Sequence, residues 1–297
     1  MDKFFFITRD VLDTAFANTS CLFVPILEFS TLRNEGPQEA FLHLLPGDKV
    51  TLTQKKISSL SITSLSGISE VSHAKLPTLN LSSLKNSPCF YVRFESFSGK
   101  FTITNLHNEE SVLQIVFGDF LNAKFERSTQ THKLLTSDLY TEEKQFIKES
   151  ERVFRIFDSP LKTIGFPQIT GLQDHVAKSK DGQGRVCCHS QDSSKMQEMF
   201  LSFNQGITFP MMKHLDKSES LLILSGDLDY LIYSEVGEVI ATIPMTGFQT
   251  YNNSNPKPFY IYINRNTYHS PLVKSETFLA KETTSGPFLP NQTVLLN

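Results

Sequence analysis

The feature that most constrains this chain is an internal repeat. Residues 38–67 align without a gap on residues 197–226, sharing Gln-Glu-x-Phe-Leu at the start, Gly47 with Gly206, a Ser-x-Ser pair and a closing Leu-Ser-Gly. A unit that recurs in this way must bury its apolar face in each copy, so two similar folding units are expected. The copies differ where chemistry could reside. The second carries His214 and Glu219 where the first carries Lys55 and Leu60.

The length of 297 residues fits two cores, because a single hydrophobic core stops growing at roughly 250 residues. A hydrophobic content of 39% with 20% charged residues is that of a globular protein. The formal net charge of −3 leaves no basic footprint, which argues against a nucleic-acid partner. The 25 phenylalanines, with no tryptophan, are read as core packing. The apolar run near Met1 is too short for a signal peptide, and no stretch approaches the ~18 apolar residues of a membrane span, so a cytoplasmic location without membrane partners is expected. Cys21, Cys89, Cys187 and Cys188 show no CxxC spacing, which speaks against a disulfide framework or a structural zinc site.

After a short helix over residues 10–17, the pattern is one of brief strands. In the first half these are residues 40–45, 49–53, 60–65, 89–94, 100–104 and 112–117, rich in β-branched and aromatic residues and separated by Gly, Pro, Ser and Asn. The second half repeats the pattern over 198–203, 207–210, 221–224, 227–233, 239–243, 259–263 and 278–283. Many short strands at this spacing predict an all-β barrel or sandwich. Between the halves, residues 138–157 mix charges with Phe146, Ile147, Val153, Phe154 and Phe157, which approximate one stripe of an amphipathic connecting helix.

The chemical reading rests on Met212, His214, Glu219 and His269. Alternate residues of a strand share a face, so Met212 and His214 would point into a barrel together, with Glu219 and His269 delivered from other strands. Two imidazoles and a carboxylate form a set that holds one divalent first-row metal while leaving positions open. For Glu219 alone, the competing reading is a solvated turn acid. His43, His73, His107, His132 and His175 are read as structural or surface residues.

Gly206, His214, Glu219, Gly226 and His269 fill the pattern of the cupins. More narrowly, Arg185-Val-Cys-Cys-His189 followed by Gln197, Pro210, Lys217-Ser-Glu219, Thr267-Tyr-His269 and Glu282-Thr-Thr-Ser-Gly-Pro-Phe288 resemble the WbuC-type cupin metalloproteins of bacterial O-antigen and polysaccharide gene clusters. The resemblance covers about 120 residues at the C-terminal end. It implies a tandem cupin (bicupin): two antiparallel jelly-roll-type β-barrels joined by a helical linker, with a degenerate barrel over residues 1–125, the linker over 126–165 and a metal-bearing barrel over 166–297. An intramolecular pseudo-dimer, or a homodimer, is implied with it.

The expected cofactor is one divalent ion, Fe, Mn, Ni, Zn or Cu, on His214, Glu219 and His269. The family's first histidine is Met212 here, a soft thioether that suits Cu(I) and otherwise packs beside the metal. His189 and Glu282 are placed around the ligands or facing substrate. Lys217 belongs to the same pocket, and Arg185 holds either an anion or an interdomain carboxylate. Tyr230, Tyr260 and Tyr262 lie on strands, and those that face inward would line the pocket.

In the first copy, Cys89-Phe-Tyr-Val-Arg-Phe matches Pro258-Phe-Tyr-Ile-Tyr-Ile, which sets Lys100 against His269, while Gln114 is set against Glu282. That copy should hold no metal, and Lys55 with Lys100 would make an anion pocket if both pointed inward. The resemblance implies a small polar substrate such as a sugar or nucleotide-sugar, handled by an isomerase, epimerase or oxygenase. The alternative is a non-catalytic ligand-binding bicupin.

Overall fold

Runs of Val, Ile, Phe and Tyr broken by Gly, Ser and Asn become strands along most of the chain, since branched and aromatic side chains pack well on a pleated surface. The computed structural model describes residues 4–8, 10–11, 22–25, 38–74, 76–83, 87, 89–105, 108–118, 121–127, 146–156, 161–248 and 257–296. In chain order the strands begin with β1 (Phe4–Thr8), β2 (Leu22–Pro25), β3 (Gln38–Leu44), β4 (Asp48–Ser66), β5 (Ile68–His73) and β6 (Leu76–Ser82). There follow β7 (Tyr91–Asn105), β8 (Ser111–Phe117), β9 (Leu121–Arg127), β10 (Ile147–Lys148), β11 (Val153–Arg155) and β12 (Leu161–Ile164), then the helix α1 (Phe166–Lys178). The rest are β13 (Gln183–Cys187), β14 (Met196–Asn204), β15 (Met212–His214), β16 (Glu219–Ser225), β17 (Asp227–Tyr233), β18 (Val239–Thr246), β19 (Pro258–Ile263), β20 (Tyr268–Val273), β21 (Thr277–Ser285) and β22 (Thr293–Leu295).

The chain divides into two units. The N-terminal unit comprises Thr14–Gln145 and Phe157–Thr170; the C-terminal unit comprises Met1–Asp13, Phe146–Ile156 and Gly171–Asn297. This division is more interleaved than the expected boundaries at 125 and 165. β1 joins the C-terminal unit, antiparallel to β19, with Phe4 packed against that unit's core. β12 joins the N-terminal unit, antiparallel to β7.

The expected connecting helix is absent from its described part, residues 146–156. There β10 and β11 form a small antiparallel pair, and β11 runs parallel to β13. The charges that suggested a solvated helical face pair both within the segment and beyond it: Arg152 pairs with Asp181, and Arg155 with Glu149 and Asp192. Phe154 packs edge-on against His175 of α1, 4.9 Å between ring centres. The helix lies later in the chain, where Ile169, Leu172 and Val176 are buried on one stripe. Of the expected helix over 10–17, Asp10 and Val11 are helical and the remainder lies outside the described residues. Residues 207–210 form only an isolated bridge, Thr208 to Leu272.

The N-terminal unit is one sheet, β2-β3-β8-β4-β7-β5-β6, with β9 and β12 alongside. Its core includes Leu42, Val50, Leu52, Leu60, Ile62, Phe94, Phe101 and Ile115. The C-terminal unit sets a sheet of order β1-β19-β16-β21-β14-β13-β11-β10 with a five-stranded sheet, β18-β17-β20-β15-β22. Leu201, Phe203, Leu221, Ile223, Ile232, Ile261 and Phe278 belong to its core. No described helix is long and apolar enough to cross a membrane.

The repeat is visible in the backbone. Gly47 and Gly206 take φ values of 80° and 78°, and Gly67 and Gly226 take 70° and 89°, left-handed conformations that side chains resist. Pairing follows as well. Leu60 lies opposite Phe94 as Glu219 lies opposite Ile263, and Thr53 opposite Lys100 as Met212 opposite His269. One expected equivalence shifts by a residue. Thr63 faces Gln114 as Leu222 faces Lys281, so Gln114 matches Lys281 and Ile115 matches Glu282. The side chains agree: Gln114 hydrogen-bonds Glu39, and Lys281 pairs with Glu198 at 2.6 Å.

Candidate metal centre

Three strands of the C-terminal unit converge on one point. β15 ends at His214, the turn that follows lets β16 begin at Glu219, and β20 presents His269 as its second residue. The loop before β20 is pinned by the Asn266 amide, which donates to the His214 carbonyl at 2.7 Å, with Asn266 itself at φ 62°. His269 Nε2 lies 2.9 Å from Glu219 Oε1, and His214 Nε2 lies 3.2 Å from Glu219 Oε2. One donor atom from each of the three side chains falls within 4.8 Å of the others.

Each remaining ring nitrogen is held by a separate group. His269 Nδ1 donates to the Thr267 carbonyl at 2.8 Å, and His214 Nδ1 meets Thr293 Oγ1 at 3.0 Å. These contacts turn both Nε2 atoms toward the common point. Tyr230 lies nearly parallel to the His269 ring, 5.8 Å between centres, and its hydroxyl donates to Glu219 Oε1 at 3.2 Å.

Burial pushes the Glu219 carboxyl up, but the adjacent His269 and His214 outweigh it and hold the group well below the usual carboxylate range. Burial likewise pushes His269 down, yet the Glu219 carboxylate and the Thr267 carbonyl raise it above its ordinary value. Tyr230 is driven well above the usual phenol value by burial and then by the Glu219 charge. Glu282 is raised by burial and by Glu219, with Lys217, Arg185 and His214 opposing.

The remaining sequence-derived residues divide. Met212 pairs across from His269 and is half-buried. Glu282 faces the interior, in register with Leu221 and Met199 of the core, and has no hydrogen-bond or ion-pair partner among the described residues. Lys217 is half-buried near the Phe288 ring, 5.9 Å from its centre. Arg185 is exposed on β13, opposite Leu201. His189 is buried and bonded through Nδ1 to the Glu198 carbonyl at 3.1 Å. Tyr260 and Tyr262 do not line this interior: they pair with Leu222 and Ser220, on the face opposite to Leu221, Ile261 and Ile263. Of the two threonines that hold the ring nitrogens, Thr267 lies in the motif Thr267-Tyr-His269, whereas the sequence reading does not reach Thr293. Thr293 lies 79 residues from His214, and no local motif announces it.

The equivalent positions of the N-terminal unit are filled differently. Leu60 and Ile115 are fully buried in its core. Lys100 is exposed, because Leu52 and Phe101 beside it take the inward face. The expected anion pocket therefore lacks one of its two amines, and the Lys55 side chain lies outside what is described.

No family model matches the chain, and no curated protein does. Solved structures do. A variant of salicylate 1,2-dioxygenase from Pseudoaminobacter salicylatoxidans is similar at TM-score 0.63 and 8% identity, over 99% of this chain and 89% of that one. Procruciferin, an 11S globulin from Brassica napus, is similar at TM-score 0.57 and 8% identity, over 89% and 79%. An oxalate decarboxylase is similar at TM-score 0.54 and 13% identity, over 93% and 74%. At these identities the likeness is one of fold, and the chain has the fold of a tandem cupin.

Proposed function

We propose that the C-terminal unit holds one divalent metal ion on His214, Glu219 and His269 and acts there on a small polar molecule, such as a sugar or nucleotide-sugar. The observation that carries this reading is the convergence of the three donors, with each Nδ1 engaged elsewhere. Two cis ligands, each about 2.1 Å from an ion, lie about 3 Å apart. The Glu219 oxygens lie 2.9 and 3.2 Å from the two Nε2 atoms, close to that spacing, which supports the reading.

A bound ion would act as Lewis acid or redox centre for a substrate oxygen. Glu282 faces the same interior with its proton retained toward higher pH, placed to give or take a proton at its carboxyl. Lys217 and Arg185 act electrostatically on Glu282 and suit an acidic group on the substrate. The sugar context rests on the WbuC-type motifs of the C-terminal half.

A second reading, a binding protein without catalysis, is favoured by Met212 in place of a harder ligand and by the apolar filling of the N-terminal core. The fold does not decide between the two, since by name its similar structures include two enzymes and a globulin. Elemental analysis of the purified protein and of a His214→Ala, His269→Ala double variant tests the metal reading. About one equivalent in the wild type, lost in the variant, is expected; less than about a tenth in both after reloading overturns it.

A further inference from the structure

The two histidines of the centre are supported in different ways. His269 Nδ1 donates to a carbonyl two residues away in its own loop. His214 Nδ1 depends on Thr293, the first residue of β22. That strand is three residues long and forms one edge of the five-stranded sheet. It pairs with β15 through Met212 and Leu295, Lys213 and Val294, and His214 and Thr293. Two backbone bonds fasten its ends: the Leu215 amide donates to the Gln292 carbonyl, and the Leu296 amide to the Met211 carbonyl, both at 2.9 Å.

The chemistry of residue 293 matters because a hydroxyl both donates and accepts. When His214 gives its Nε2 lone pair to an ion, its Nδ1 carries the proton and Thr293 Oγ1 must accept. Without the ion, Nε2–H faces Glu219 Oε2 at 3.2 Å, and Nδ1 accepts from the Thr293 hydroxyl. Serine would serve both states; valine, of similar shape, would serve neither.

We infer that Thr293 is a positioning residue of the metal centre and that, through it, metal occupancy and the docking of β22 on β15 are linked equilibria. This rests on the metal reading above. Linkage is reciprocal, so the factor by which docked β22 tightens metal binding is the factor by which metal favours the docked strand. Loss of such an outer partner weakens metal affinity about 10- to 100-fold.

Zn(II) and Mn(II) are titrated, against a chromophoric chelator, into the full chain as wild type, Thr293→Val and Thr293→Ser, with circular dichroism as a check on folding. Hydrogen exchange of the segment 289–296 is followed with and without the ion. The valine variant should bind about 10- to 100-fold more weakly, with serine restoring affinity, and the ion should slow exchange of the segment in the wild type but not in the valine variant. Wild-type affinity in a folded valine variant, or unchanged exchange in the metal-loaded wild type, overturns this inference alone. A wild type that takes up neither ion overturns the metal reading and this inference with it.

Discussion

Glu219 accepts from Tyr230 and faces two imidazoles, and its charge governs the groups around it. Its carboxyl is depressed in the folded chain, so its contribution to stability is present above the ordinary carboxylate range and lost as pH falls through the depressed value. His269 is raised above its ordinary 6.5, so its contribution is fully present below that value and lost as pH rises through the raised one. The metal-free protein should therefore melt highest between these limits, and His269→Ala should remove the alkaline decline; thermal melts across pH check this. Divalent metal competes with the same His269 proton, so affinity should strengthen with rising pH through the raised value, with protons released on binding. Titrations of Zn(II) in buffers of different ionisation enthalpy measure that release. The grouping of Glu219, His214 and His269 was legible in the sequence because their order and spacing follow the motif of the family that the chain resembles. Thr293 was not, because strand pairing alone brings it to His214.

Turns decide which elements reach the centre. At Gly226 a Cβ would meet Ser275 Oγ and the Thr277 carbonyl at 2.5 Å, whereas at Gly206 nothing lies within 4 Å. Both are left-handed, so Gly206→Ala should cost about 1–2 kcal/mol from backbone strain alone. Gly226→Ala should cost more than that, with a clearly lower melting temperature. Denaturant unfolding of the two variants separates strain from collision. At this scale the sequence misled most clearly between the two halves. Phe146, Ile147, Val153 and Phe154 mimic a helical stripe, but Ile147, Val153 and Phe154 belong to two short strands. The short apolar runs were ambiguous, and the parallel pairing of β11 with β13 decides their conformation.

Across the whole molecule the two copies share a plan but not a chemistry. The core of the N-terminal unit holds Leu60 and Ile115 where the other unit has Glu219 and Glu282, so uptake should saturate at one ion per chain rather than two, as native mass spectrometry would show. The same comparison isolates a buried pair, Lys281 with Glu198, both side chains at 0% exposure, where the first copy uses the neutral Gln114 beside Glu39. Lys281→Met leaves Glu198 buried without that partner and should destabilise the fold by about 3–5 kcal/mol, while Lys281→Met with Glu198→Gln should recover much of the loss. Chemical denaturation of the single and double variants measures both. The sequence aligned Gln114 one residue away from this equivalence, because the motif match runs through Gly118 and Gly286 while strand register does not.

β4 is one strand of 19 residues with irregular register between Gln54 and Leu60, whereas its counterpart is two strands, β15 and β16, separated by a turn. Position 100 of the first copy therefore differs from His269 in orientation as well as in residue type. Leu60→Glu and Lys100→His would restore residue types without restoring a site, because position 100 faces outward. Only a change in strand length could reopen that route, and a protein engineer wanting two centres in this chain would have to edit the backbone first.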